Sequence, residues 1–208
     1  MTSARTDTRD LLDRTARGDA AARQDLLGRH RDRLRRTVAV RLDPRLAPRV
    51  APSDIVQEAL ADAAGRLDDY LRERPMPYFP WLRRLAWDRL DKAHRRHTAR
   101  RRSVAREEPP DLPNSSAIML AERLLARDTD PARAALRKEK RQRVRALLDR
   151  LSADDREVLV LRFLERLSST EAGAVLGISP GAVRLRLMRA LERLRRHLSD
   201  DSLAEDLS

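Results

Sequence analysis

The chain has 208 residues, 41% hydrophobic and 38% charged, with a formal net charge of +12 and no cysteine. The lack of cysteine excludes disulfides and thiolate metal sites, and so large a basic excess points first to nucleic acid and second to anionic membrane surfaces. Aromatic residues make up only 3%, poor material for a sheet sandwich, whereas Ala, Leu, Arg and Glu favour helices.

Only Lys92, Lys138 and Lys140 among the 45 basic residues are lysine. Such a bias resembles that of a GC-rich coding sequence, so where the arginines sit says more than how many there are. No apolar run approaches the length of a membrane span. The start, MTSARTDTRD, has no apolar segment and no secretory character. A soluble, cytoplasmic protein of one large or two small domains is expected.

Residues 1 to 7 read as disordered. Leu11, Leu12 and Ala16 open a short helix that Gly18 can end. Asp19 can cap the next, with Ala22, Leu26, Leu27, His30, Leu34, Val38 and Leu42 at helical spacing, until Asp43-Pro44 and Ala47-Pro48 break it. Ser53 reads as the cap of a third helix, SDIVQEALADAAGRL. Its Ile55, Val56, Ala59, Leu60, Ala63 and Leu67 form one apolar side, and Asp54, Gln57, Glu58, Ala61 and Gly65 form the other. An acidic and amide surface in a basic chain is either a solvated face or a docking face for a basic partner protein.

Asp68 to Pro80 carries three prolines and reads as a loop holding Tyr70, Tyr78 and Phe79. Aromatics in a basic setting can stack on unpaired bases; alternatively Phe79 and Trp81 anchor the loop to the core. From Trp81 to Arg102 the chain reads as a helix with nine Lys or Arg between 83 and 102, suited to a nucleic-acid backbone. His94 and His97 have no third ligand nearby, so no metal site is expected. Residues 103 to 132 read as a linker, EEPPDLPNSS included.

A further helix starts at Asp130-Pro131, with Val144, Leu147, Leu148 and Leu151 apolar. Ser152 caps ADDREVLVLRFLER, whose Val158, Leu161 and Leu164 face inward. Ser168 and Glu171 then have capping-box spacing. Gly177 supplies the left-handed stop, and Ser179-Pro180 starts a second helix. Helix, glycine turn, helix is the helix-turn-helix layout. Val183, Leu187, Ala190, Leu191 and Leu194 fall on one side of that second helix. Gly181, Leu185, Met188 and Glu192 fall on the other, flanked by Arg184 and Arg189. A Gly, a Leu and a Met facing water suit a helix that enters a DNA groove, where Arg pairs with guanine and apolar groups meet thymine methyls. A plain hairpin inside a bundle is the other reading. The acidic tail 199 to 208 reads as frayed.

These motifs, in this order and spacing, resemble the bacterial RNA polymerase sigma factors of the sigma-70 family, extracytoplasmic-function (ECF) type. SDIVQEAL resembles the core-binding helix of their second region. WLRRLAWDRLDKAHRR resembles the helix that meets the downstream promoter element. LSADDREVLVLRFLERLSSTEAGAVLGISPGAVRLRLMRALERLRR resembles their fourth region almost throughout. Asp88 stands in place of a frequent Asn, Trp87 in place of a small or basic residue, and Leu185 where polar residues are common.

The resemblance implies an all-α fold of two small helical domains on a flexible linker. A region 2 helical bundle would occupy residues 8–102, the linker 103–132, a region 4 helix-turn-helix 133–198, and the acidic tail 199–208. It implies transcription initiation without catalytic residues or cofactors, with core RNA polymerase and promoter DNA as partners and room for an anti-sigma factor. Asp54, Gln57 and Glu58 would bind core polymerase. Tyr70, Tyr78, Phe79, Arg83, Arg84, Lys92, Arg95 and Arg96 would meet the −10 region. Ser179, Gly181, Ala182, Arg184, Leu185, Met188 and Arg189 would meet the −35 region. Two rivals make different demands. A stand-alone regulator needs a sensor pocket or phosphoacceptor in residues 8 to 102, and a helical nucleic-acid enzyme needs converging metal ligands or acid-base groups; the sequence offers neither.

Overall fold

The computed structural model describes the backbone of residues 3–43, 46–99, 119–120 and 144–205, and no strand occurs among them. The chain divides into two compact units, Met1–Glu107 and Glu108–Ser208. The expected linker, 103–132, lies outside the described residues except for 119 and 120.

Among its described residues the first unit packs five helices: α1 (Ser3–Ala16), α2 (Ala20–Arg29), α3 (Arg31–Arg41), α4 (Pro52–Glu73) and α5 (Tyr78–Ala99). Gly18, at φ 88°, turns the chain after α1. Asp19 caps α2 by accepting from the Ala22 N–H at 3.0 Å, and it also accepts from Arg14 Nε and Nη2 at 2.9 and 2.7 Å, which ties α1 to α2. The backbone bond and the Arg14 guanidinium together hold the Asp19 carboxyl below its usual range. The single helix expected from Asp19 to Leu42 is in fact two, breaking at His30. The His30 ring packs against Tyr78 and Phe79, with ring centroids 5.6 and 5.7 Å apart. That contact between distant segments leaves no trace in the local period. Leu26, Leu34, Val38, Val56 and Leu67 are fully buried and form the centre of this core.

Two boundaries differ from the sequence reading. Helix α4 starts at Pro52, with Ala51 as cap, so Ser53 lies inside the first turn. Helix α4 also runs on to Glu73 and stops where Arg74 adopts a left-handed φ of 41°. The expected proline-rich loop therefore shrinks to residues 74–77. Pro80 sits in the first turn of α5, where backbone N–H groups have no helical partner and a proline costs nothing.

In the second unit a helical segment 144–150 precedes α6 (Ala153–Leu159), α7 (Ser169–Leu176) and α8 (Pro180–Glu205). Ser152 caps α6 by accepting from the Asp155 N–H at 3.2 Å. Helix α6 widens into a π turn over Val160–Leu164, closed by the Glu165 N–H donating to the Val160 carbonyl at 3.0 Å. Val158 and Leu161 are fully buried as expected, whereas Leu164 is half-buried. The backbone of α8 stays helical through Glu205 rather than fraying from 199, since nothing in SDDSLAE is a glycine or proline that would stop it.

Candidate nucleic-acid and partner interfaces

Helix α4 separates its two sides as its periodicity requires. Ile55, Val56, Ala59, Leu60, Ala63 and Leu67 are buried. Asp54, Gln57, Glu58, Ala61 and Gly65 are all exposed. The surface is not simply a row of free carboxylates. Arg89 of α5 donates from Nε to Asp62 Oδ2 at 2.6 Å and makes a second bond to the same carboxylate. Its other nitrogen reaches Glu58 Oε2 at 3.2 Å. The paired guanidinium holds the Asp62 carboxyl below its usual range, chiefly through the hydrogen bond. The sequence reading counted Arg89 only among the nine basic residues of its helix and passed over Asp62, because a pair 27 residues apart becomes visible only when α4 lies against α5.

The aromatic residues do not form an exposed loop. Tyr70, Tyr78, Phe79 and Trp81 are all buried. Tyr70 stacks on Trp81 with ring centroids 4.5 Å apart and meets the edge of Tyr78 at 5.5 Å. The Tyr70 hydroxyl donates to the Met76 carbonyl at 2.9 Å and so ties off the turn before α5. Burial pushes the Tyr70 phenol up to about 12 and raises that of Tyr78 as well. These rings are core, and the reading of Tyr70, Tyr78 and Phe79 as open to bases is corrected on this point. Their spacing, at the end of one helix and the start of the next, is that of a corner being filled.

Along α5 the cations divide. Arg84, Lys92, Arg95 and Arg96 are exposed, as a phosphate-binding side requires. Arg83 is only 5% exposed. Its guanidinium lies 3.9 Å from the centre of the Trp87 ring, so its charge is not presented to a phosphate. The side chain of His97 lies outside the described residues.

In the second unit the turn signals each find their partner. The Ser168 hydroxyl accepts from the Glu171 N–H at 3.2 Å, and the Glu171 carboxylate accepts from the Ser168 N–H at 2.7 Å. Gly177 takes φ 67°. Ser179 accepts from the Ala182 N–H at 3.1 Å and starts α8. On α8, Val183, Ala190 and Leu194 are buried and Leu187 is half-buried, but Leu191 is 36% exposed. Ser179, Gly181, Ala182, Arg184, Leu185, Met188 and Arg189 all face out, Leu185 at 42% and Met188 at 51%. Arg193 pairs with buried Asp155, and Arg186 reaches Asp154 at 3.3 Å, so α8 is fixed to the N-terminal turn of α6. This fixation aims the exposed front of α8.

Two comparisons of sequence and one of structure bear on this architecture. Residues 141–194 match the family model described as Sigma-70, region 4. The ECF RNA polymerase sigma factor SigD of Mycobacterium bovis is 32% identical over 146 residues, which cover 70% of this chain and 62% of SigD. The chain thus spans less than two thirds of that relative's length. The ECF RNA polymerase sigma factor ShbA of Streptomyces griseus is 33% identical over 190 residues, covering 89% of this chain and 92% of ShbA. The solved structure of CnrH in complex with the cytosolic domain of CnrY aligns with a TM-score of 0.51 at 26% identity, over 94% of this chain and 99% of that one. With the acidic helix, the basic helix and the helix-turn-helix in place along this length, the chain belongs to the ECF family of RNA polymerase sigma factors.

Proposed function

We propose that this protein binds core RNA polymerase and directs it to promoters by meeting a downstream element through the first unit and an upstream element through the second. Its region 2 part is residues 8–102, and its region 4 part is residues 133–198. The protein supplies no catalytic group; it positions polymerase and favours the melted state of the DNA. The reading implies a cytoplasmic site of action. The observation that carries it is one of opposed surfaces in a single chain. Helix α4 presents Asp54, Gln57 and Glu58 to solvent, which suits a basic protein and repels DNA. Helices α5 and α8 present Arg84, Lys92, Arg95, Arg96, Arg184 and Arg189, which suit phosphates and base edges.

Ser179, Gly181, Ala182, Leu185 and Met188 complete the −35 surface, with the two apolar side chains placed to meet thymine methyls. An anti-sigma factor fits the same scheme as a second ligand, since the solved relative CnrH was captured with the cytosolic domain of CnrY. The test is run-off transcription with purified bacterial core polymerase on promoter DNA selected in its presence. Specific transcripts are expected only when this protein is added. Reversing charge with Asp54→Arg and Glu58→Arg should abolish core association while helicity is retained. Unchanged association would remove α4 from the interface, and no association of the wild-type protein at any salt concentration would end the reading altogether.

A further inference from the structure

The acidic stripe that α4 turns outward is not uniform along its length. Asp54, Glu58 and Asp62 follow one another at i, i+4 and i+8, so each is the neighbour of the next on the helix surface. At the N-terminal end Asp54 is exposed and has no ion-pair partner among the described residues. At the other end a cation of the same chain is already in place. Arg89 of α5 donates to Asp62 from Nε at 2.6 Å and again from Nη2, and its third nitrogen, Nη1, donates to Glu58 Oε2 at 3.2 Å.

The two contacts are unequal. The Arg89 and Asp62 side chains are each 24% exposed, whereas that of Glu58 is 49% exposed. A two-bond fork on a sheltered carboxylate is stronger than one longer bond to a carboxylate open to water. Arg66 and Lys92 lie near enough to Asp62 to favour its charged form further, behind the Arg89 hydrogen bond. Asp62 is therefore the anchor of Arg89, and Glu58 is the contact that can be exchanged.

We propose that Arg89 belongs to the polymerase-docking site and sets its affinity, as a cation held on Glu58 that the partner must displace. The proposal rests on the reading of α4 as the docking helix and makes that reading more specific. On docking, Glu58 passes from Arg89 to a cation of the partner. Arg89 stays on Asp62, so the contact between α4 and α5 survives the exchange. A basic surface that reaches Glu58 alone gains little, because it replaces one cation by another. A partner that also engages Asp54 and Gln57 meets positions with no such occupant, and the balance turns in its favour there.

The experiment titrates the full chain into core polymerase at several salt concentrations. Arg89→Gln should bind core about 2- to 5-fold more tightly than wild type at low salt, the range of a partly exposed ion pair. The gain should shrink as salt rises. Asp62→Asn combined with Arg89→Gln removes one charge of each sign. It leaves net charge unchanged and no carboxylate unpaired between α4 and α5. This double variant should show a similar gain, which tests the proposal even if Arg89→Gln alone misfolds. Glu58→Gln should weaken core binding in both backgrounds, by a factor about 2- to 5-fold larger where Arg89 is already Gln. A purely structural role for Arg89 leaves that factor the same. The proposal is overturned if neither variant lacking Arg89 binds core more tightly than wild type, or if Glu58→Gln has equal effect in the two backgrounds while wild type still forms holoenzyme. If wild type forms no holoenzyme, the docking reading itself fails, and this proposal with it.

Discussion

Asp62 and Glu58 lie one turn apart on α4, and a single guanidinium, Arg89, reaches both. Because Arg89 holds the Asp62 carboxyl below its usual range, the folded chain takes up a proton there less readily than the unfolded chain. The pair therefore contributes stability above the ordinary carboxylate range, near pH 4, and that contribution fades as pH falls through the lowered value. Asp19, depressed mainly by the Ala22 N–H and then by Arg14, acts in the same direction. Denaturant unfolding between about pH 3 and 6 should show a shallower acid-side loss in Asp62→Asn than in the wild type; equal slopes would mean that the ion pair is not formed in solution. The two tyrosines test the buried corner. Burial raises both phenols, Tyr70 to about 12. An ultraviolet titration should show little phenolate near pH 10, where free tyrosine is half ionised. Stability should then fall above that pH, as the unfolded chain begins to ionise first. Ordinary titration near pH 10 would return Tyr70 and Tyr78 to the surface.

At the level of elements, the turn between α7 and α8 shows what a sequence can and cannot disclose. A Cβ built on Gly173 would lie 2.6 Å from the Ile178 carbonyl oxygen, a backbone atom that cannot rotate aside. Gly177 has open space around it but takes φ 67°, where a side chain costs about 1–2 kcal/mol. Gly177→Ala should therefore lower stability by about that amount and leave upstream promoter contacts in place. Gly173→Ala should force α7 and α8 apart and weaken upstream protection even where the unit stays folded. Equilibrium unfolding and footprinting of both variants check this, and equal footprints would show that the turn tolerates the displacement. The Ser168–Glu171 box, Gly177, Ser179-Pro180 and the two sides of α4 were legible because each depends on residues within a turn or two of one another. The break at His30, the extension of α4 to Glu73, the π turn and the burial of Tyr70 and Tyr78 were not, whereas burial of Phe79 and Trp81 was one of the two readings the sequence left open. The break at His30 is accompanied by ring contacts with Tyr78 and Phe79, far along the chain, and a proline near a helix start reads the same as one in a loop. The surface residues of α8 were legible for the opposite reason: apolar side chains on the outer arc of a helix contradict its own periodicity.

Across the whole molecule, the charge distribution sets what the protein can do alone. A net charge of +12 ensures attraction to any DNA, yet the exposed cations proposed to meet the promoter divide between α5 in one unit and α8 in the other. Each surface has the footprint of a small module, and such modules bind mainly through phosphates. Joining two weak contacts raises affinity only when the spacing of both sites on the DNA is matched by the spacing of the modules. On the proposed function, docking of α4 on a large partner would supply that match by fixing the units, and the acidic face of α4 would keep the partner's side of the molecule off the DNA. Free protein should therefore bind duplex promoter weakly, with little sequence preference and a steep fall as salt rises. Removing one cation from a phosphate, for example with Arg95→Ala or Arg184→Ala, should lower the log–log salt slope by about 0.9. In the presence of core polymerase, Arg184→Ala should instead cost specific upstream protection, because the base-directed part of its interaction counts only once register is fixed. Footprinting with and without core, over a series of salt concentrations, separates these contributions. Strong, specific protection by the free protein would show that the two surfaces already stand at the promoter's spacing, and α4 would then have no part in setting it.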